Sequence, residues 1–288
     1  MKKIKIKHSG LMGDIIYSIP TMKSLMKKLN CTGIDLWIPN DKKSNSISEV
    51  KHIGGSLMFT DDMFDFIKPL LLAQEIFDEI NYTSELEIPK DCIDFDSIRY
   101  GLINTSSGHI PNYYSKAFGT LIDSTKRWLE IPKESAHKKE YQIIIGRSTR
   151  YVNSSINYDE LSKLEYKIGF IGTKKEFKIF QSEFVNLEIE HINTENSLEV
   201  AKIINNCQVY IGNQSFFFSI AEGLKVPRLI ESFELVPNVI PTGGICGQFI
   251  TTKGLCMLIN SILDTRMECI ENKKPSYHLN NPFIPTFI

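Results

Sequence analysis

The 288-residue chain holds no Cys-x-x-Cys pair, no G-x-S-x-G turn, no H-E-x-x-H helix and no internal repeat. The missing cysteine and histidine spacings exclude a zinc cluster or zincin chemistry, and the missing serine elbow excludes the usual hydrolase nucleophile. Solenoid and propeller folds fall with the repeat. The formal net charge is only −1, so no global field draws the chain to nucleic acid or anionic lipid, although Lys2, Lys3, Lys5 and Lys7 make a local basic patch. No apolar run reaches the length of a membrane span, and Met1-Lys2-Lys3 leads into a strand rather than a signal-peptide core. The six cysteines (Cys31, Cys92, Cys207, Cys246, Cys256, Cys269) are scattered and read as buried free thiols of a cytoplasmic protein.

What remains is 42% hydrophobic and 23% charged, the composition of a globular chain long enough for two domains, each with its own core. Ile4 and Ile6 begin a strand that ends at Ser9-Gly10-Leu11-Met12-Gly13-Asp14. Beyond it Ile15, Ile16, Ile19, Met22, Leu25, Met26 and Leu29 recur on one helical face. Asp14 then lies in the first turn of a helix, near free N–H groups and the positive end of the dipole. Gly33–Pro39 reads as a second strand, 41–55 as a polar loop, Phe64–Phe77 as a helix carrying Pro69, and Glu79–Tyr82 as a strand. Asp94-x-Asp96 has the spacing of a divalent-metal pair, yet its alternation with Ile93 and Phe95 also fits a half-exposed strand. His109–Gly119 reads as a helix ended by glycine, and Trp128–Lys133, leading into a charged stretch, as the domain boundary.

Strand and helix patterns start again after residue 140. Strands are expected at Tyr141–Gly146, Lys167–Gly172, Val209–Gly212 and Val226–Ile230, with helices from Lys174, over Leu198–Asn205 and over Phe216–Leu224. Apolar strands alternating with helices predict parallel sheets covered on both faces. Two short stretches follow strands in this half: Gly146-Arg147-Ser148-Thr149-Arg150, and Gly212-Asn213-Gln214-Ser215-Phe216 opening a helix that carries Ser219. The first offers guanidinium groups to phosphate oxygens. The second aims the N–H groups of a helix start at an anion.

Residues Ser9–Pro20 resemble the opening of the heptosyltransferase-like glycosyltransferases of family 9, whose first turn reads S-x-G-D before a hydrophobic stretch ending in proline. Leu11 stands in the serine's place. His109–Gly119 looks like that family's H-x-x-x-x-Y-x-x-x-L-G segment. Val209–Pro227 resembles its donor-binding segment, D-[ST]-G followed by a histidine-bearing helix, with Gln214 at the acidic position, Phe216 at the glycine and Ser219 at the histidine. The loop at 146–150 corresponds to a phosphate-contacting loop, without the family's Lys-x-Trp tail.

The resemblance implies an α/β protein of GT-B architecture, two Rossmann-like domains (1–133 and 134–266) facing each other across a cleft, with a tail at 267–288 returning to the first. It implies an inverting, metal-independent transfer of a sugar from a nucleotide diphosphate donor to a hydroxyl of a glycan, a protein side chain or a modified base, without a cofactor. Asp14 would be the general base. Arg147, Ser148, Thr149, Arg150, Gln214, Ser215, Phe216 and Ser219 would hold the donor, and His8, Ser9 and Gly13 the acceptor or a phosphate. Three other readings stay open: a metal-dependent GT-A enzyme using Asp94 and Asp96, a silent sugar-nucleotide or glycan-binding protein, and a sugar-nucleotide epimerase or hydrolase.

Overall fold

The computed structural model describes residues 2–44, 55–99, 103–105, 107–132 and 140–265. The expected tail at 267–288 and most of the expected loop at 41–55 lie outside the described residues. The first half runs β1 (Lys3–Lys7), α1 (Met12–Lys28), β2 (Gly33–Pro39), α2 (Asp61–Leu72), β3 (Phe77–Thr83), β4 (Ile93–Asp94) and α3 (Ile110–Ala117). Its four strands pair in parallel in the order β3-β2-β1-β4. Ile4 and Ile6 of β1 point into the core beside Ile34, Leu36 and Ile38 of β2. The alternate lysines face carboxylates, so the expected basic patch is neutralised: Lys3 meets Asp35 at 3.6 Å and Asp78 at 3.4 Å, Lys5 meets Asp91 at 3.0 Å, and Lys7 meets Glu85.

The second half runs β5 (Ile143–Gly146), β6 (Ile168–Phe170), α4 (Lys174–Glu183), β7 (Glu190–His191), α5 (Ser197–Asn206), β8 (Val209–Gly212), α6 (Phe216–Leu224), β9 (Arg228–Glu231), β10 (Cys246–Phe249) and α7 (Thr252–Leu263). Its six parallel strands lie in the order β10-β9-β8-β5-β6-β7, a doubly wound sheet that reverses direction between β5 and β8. The first sheet reverses between β1 and β4. Ligands of open parallel sheets sit outside the carboxyl ends of the strands at such reversals.

Several helix starts are capped by side chains: Thr60 for α2, Thr173 with Glu176 for α4, Asn196 for α5 and Thr251 for α7. Phe77 belongs to β3 and not to the preceding helix, because α2 stops at Leu72 just after Pro69 in its last turn. The thiol expectation also changes. Cys31, Cys92, Cys207 and Cys246 are in no disulfide, whereas Cys256 is disulfide-bonded.

The two halves share one core, and the second keeps another of its own. One apolar cluster runs from Ile6, Ile16 and Leu36 of the first half through Ile204, Phe218, Ala221 and Ile230 of the second, and a further cluster covers the opposite face of the six-stranded sheet. Where the chain crosses between them, the amides of Trp128 and Leu129 both donate to the Gly223 carbonyl, at 3.0 and 3.1 Å. A methyl group on Gly223 would fall 2.7 Å from Leu129, so glycine is what admits the crossing strand against α6.

Candidate functional site

The turn after β1 is built from beneath. His8 is fully buried; its Nδ1 accepts the Gly10 N–H at 3.1 Å, so Nε2 carries the proton and donates to the Tyr114 hydroxyl at 3.0 Å. Burial pushes the imidazole down to about 4, which keeps it neutral. Ser9 is equally buried. Its N–H donates to Asp96 Oδ1 at 3.0 Å and its hydroxyl to Asp96 Oδ2, while the Lys42 ammonium reaches the same Oδ2 at 3.0 Å. Burial alone would raise the Asp96 carboxyl, but the Ser9 hydroxyl and the Lys42 ammonium help hold it down at about 2. Sequence reasoning put His8 and Ser9 against a ligand. They are instead the buried footing of the turn.

Asp14 is the third residue of α1 and partly open to solvent. Its Oδ2 accepts the Leu11 N–H at 3.2 Å, closing the start of the helix, and an Arg99 Nη2 hydrogen bond at 2.6 Å. The neighbouring carboxylate raises the Arg99 guanidinium above its ordinary value. Arg99 ends the 3-10 turn Phe95–Arg99, which also supplies Asp96. The half-exposed strand expected there is therefore two residues long, and Asp96 is spent on Ser9 and Lys42. Among the described residues no group of three or more His, Cys, Asp or Glu side chains is placed to hold a metal.

In the second half, Ser215 caps α6 by accepting the Phe218 N–H at 3.3 Å, which leaves the amides of Phe216 and Phe217 as open donors of the first turn. Ser219 is buried and donates to the Phe216 carbonyl at 2.6 Å, inside its own helix. Gln214 is buried too: its amide nitrogen donates to the Val236 carbonyl at 2.9 Å and to Asn238 Oδ1 at 2.6 Å, and its Oε1 has no partner among the described residues. Asn238 in turn donates to the Thr105 carbonyl of the first half at 3.0 Å.

The loop after β5 divides. Arg147 turns inward: Nε and Nη2 bond Glu231 at 2.7 and 3.1 Å, Nη1 reaches Glu183 at 2.8 Å, and Tyr158 donates to the same Glu231 at 2.8 Å. It is a buried cation paired with glutamates rather than turned to the surface as expected, and they keep it charged despite burial. Ser148, Thr149 and Arg150 stay at the surface of the reversal point. Asn213 pins them there, accepting the Ser148 N–H at 2.9 Å and donating to the carbonyls of Ser148 at 2.9 Å and Arg150 at 2.6 Å. The Arg150 guanidinium lies over the Tyr151 ring at 5.4 Å, and Tyr151, at φ 54, meets Phe233 edge-on. Asn213 and Arg99 are residues that sequence reasoning passed over. The signal for Asn213 was its place directly after β8 at the reversal; for Arg99 there was none, since it approaches Asp14 from 85 residues away.

The two turns meet. A methyl group placed on Gly13 would lie 3.6 Å from Phe216 Cα, 3.7 Å from Ser219 Oγ and 3.9 Å from the Phe216 amide nitrogen. The start of α1 and the start of α6 thus abut, with Asp14 one residue beyond the contact. No protein-family model matches the sequence, and no curated protein matches it. Solved structures do. The chain superposes on Escherichia coli ADP-heptose lipopolysaccharide heptosyltransferase II with a TM-score of 0.63, covering 91% of this chain and 98% of that one at 14% identity. The fold is that of the heptosyltransferases. The family 9 glycosyltransferase of Veillonella parvula matches this heptosyltransferase-like, GT-B fold as well, with a TM-score of 0.52 and 14% identity over 93% of this chain and 90% of that one. Among the described residues no helix is long and apolar enough to cross a membrane.

Proposed function

We propose that the protein is an inverting glycosyltransferase that moves a sugar from a nucleotide diphosphate donor to a hydroxyl acceptor. The observation that carries this reading is the meeting of the Asp14 turn with the start of α6 at the carboxyl ends of two doubly wound sheets. One partner offers a carboxylate, the other open N–H groups. In this reading the diphosphate lies against the amides of Phe216 and Phe217, with Arg150 of the loop that Asn213 ties to this turn as a cation for it, and the charge that develops on the leaving group is met by those donors without a metal ion. Asp14 takes the proton of the acceptor hydroxyl as that oxygen attacks the anomeric carbon and the bond to the diphosphate breaks. The likeness to ADP-heptose enzymes makes ADP-heptose the first donor to try.

The test begins with a thermal-shift panel of sugar nucleotides, since a ligand that selects the folded state raises its melting point. Asp14→Asn then keeps the shape and the Leu11 hydrogen bond while removing the charge. It is expected to retain the donor-induced shift, to lose less than about 1 kcal/mol of stability from its partly exposed ion pair, and to lose about 10²–10⁴-fold in kcat. An Asp14→Asn protein with wild-type turnover overturns the reading. Donor binding without turnover in the wild type would make the chain a binding protein instead.

A further inference from the structure

The Asp14 carboxylate is held unevenly. Oδ2 receives both the Leu11 N–H at 3.2 Å and Arg99 Nη2 at 2.6 Å, whereas Oδ1 makes no hydrogen bond among the described residues. The turn that ends in Arg99 also carries Asp96, and Asp96 fixes Ser9 through two hydrogen bonds. A single five-residue turn from β4 therefore grips both ends of the β1–α1 turn: backbone through Asp96, carboxylate through Arg99. Glycine at position 10 completes the grip, because a Cβ there would fall 2.9 Å from Asp14 Cβ and 2.7 Å from the His8 ring. The whole arrangement fixes one rotamer of Asp14.

We infer that Arg99 is a positioning residue for the reaction: it holds Oδ2 of Asp14 so that Oδ1 alone is presented to the acceptor hydroxyl. The inference rests on the reading of Asp14 as the base. A carboxylate free to rotate about its Cβ–Cγ bond would offer either oxygen in varying directions, and misplacement of a reacting group by about 1 Å costs on the order of 10²-fold in rate. Arg99 touches neither sugar nor diphosphate in this account, so its effect belongs in kcat and not in donor affinity. A lysine at the same place reaches Oδ2 with one charged N–H and keeps most of the effect, which a neutral glutamine does not.

The measurement is release of nucleoside diphosphate from ADP-heptose, UDP-N-acetylglucosamine and GDP-mannose, water standing in for the acceptor, by the full-length wild type, Arg99→Gln, Arg99→Lys, Asp14→Asn and the double variant Asp14→Asn/Arg99→Gln. Arg99→Gln is expected to lower kcat about 10- to 100-fold with the donor KM unchanged, and Arg99→Lys to recover most of that loss. Adding Arg99→Gln to Asp14→Asn is expected to cost nothing more, since the group it positions is already gone. Equal losses from Arg99→Gln in the two backgrounds would overturn the inference and leave Asp14 as the base. Wild-type turnover in Asp14→Asn, or no turnover of any donor by the wild type, would overturn the transferase reading and the inference with it.

Discussion

Arg147 and Glu231 close a two-pronged ion pair inside the six-stranded sheet, at 2.7 and 3.1 Å, with the Glu231 side chain wholly shielded from solvent. The arginine at the end of β5 thus faces back under the sheet's carboxyl edge rather than out toward a donor. Removing one partner of such a pair strands the other charge in a low-dielectric interior, at a cost of about 3–5 kcal/mol. Arg147→Ala is therefore expected to lower the urea midpoint or melting temperature steeply. Arg150→Ala, which leaves the pair alone, is expected to change stability by less than about 0.5 kcal/mol and to weaken the donor-induced thermal shift. A stable Arg147→Ala protein with impaired donor binding would return Arg147 to the phosphate site.

Asp96 separates two accounts of the acidic pair at 94 and 96. If it serves to hold Ser9, Asp96→Asn weakens a charge-assisted bond beneath the Asp14 turn and releases Lys42. The expected result is reduced kcat with loss of stability, unchanged by added Mn²⁺ or Mg²⁺, while EDTA leaves wild-type turnover as it was. Asp94, whose Oδ1 accepts the Asp96 N–H at 2.9 Å, is expected to tolerate asparagine. Activity lost in EDTA and restored by a divalent ion would make the pair a metal site.

Two buried histidines set the acid stability. Burial lowers His8 to about 4, and burial with the nearby Lys225 and Arg228 charges lowers His109 to about 3. Both lie below the ordinary value near 6.5, so between that value and about pH 4 the unfolded chain binds protons that the folded chain refuses. Stability is full above about pH 6.5 and falls as pH drops through this window. With two such groups the slope approaches about 2.7 kcal/mol per pH unit near pH 5. Urea titrations at pH 7.5, 6.5, 5.5 and 5.0 read it directly. A flat profile down to pH 5 would mean that both imidazoles are charged in the folded protein, and half the slope that one is.

The sheets were legible because Ile143–Ile145 and Val209–Ile211 are unbroken apolar runs, and strands buried on both faces announce themselves in that way. Gly33–Pro39 was legible to the residue, bounded by glycine and proline. The β10–α7 unit was not. Cys246–Phe249 is short and mixed, and α7 has a single lysine on its polar side, so neither period stands out. In the site, Asp14 and the Ser215 cap could be placed because each is local to its own helix start. What the sequence could not convey was direction. Arg147 and Arg150 are three residues apart and look alike, yet Glu231, 84 residues on, draws one of them inward. Arg99, Lys42 and Asp96 converge on the β1–α1 turn only because β4 lies beside β1.

The apolar cluster that runs unbroken from the first sheet into α5 and α6 bears on how the molecule can be divided. A chain cut near residue 132 would leave Phe218, Ala221 and Leu224 bare on one fragment and Ile16, Ile19 and Met22 bare on the other, each a broad greasy surface open to water. Each half has a complete sheet, yet the face it turns to the other is buried only by its partner. The two halves therefore cannot be traded between such proteins like cassettes: any graft has to carry the facing helices with it.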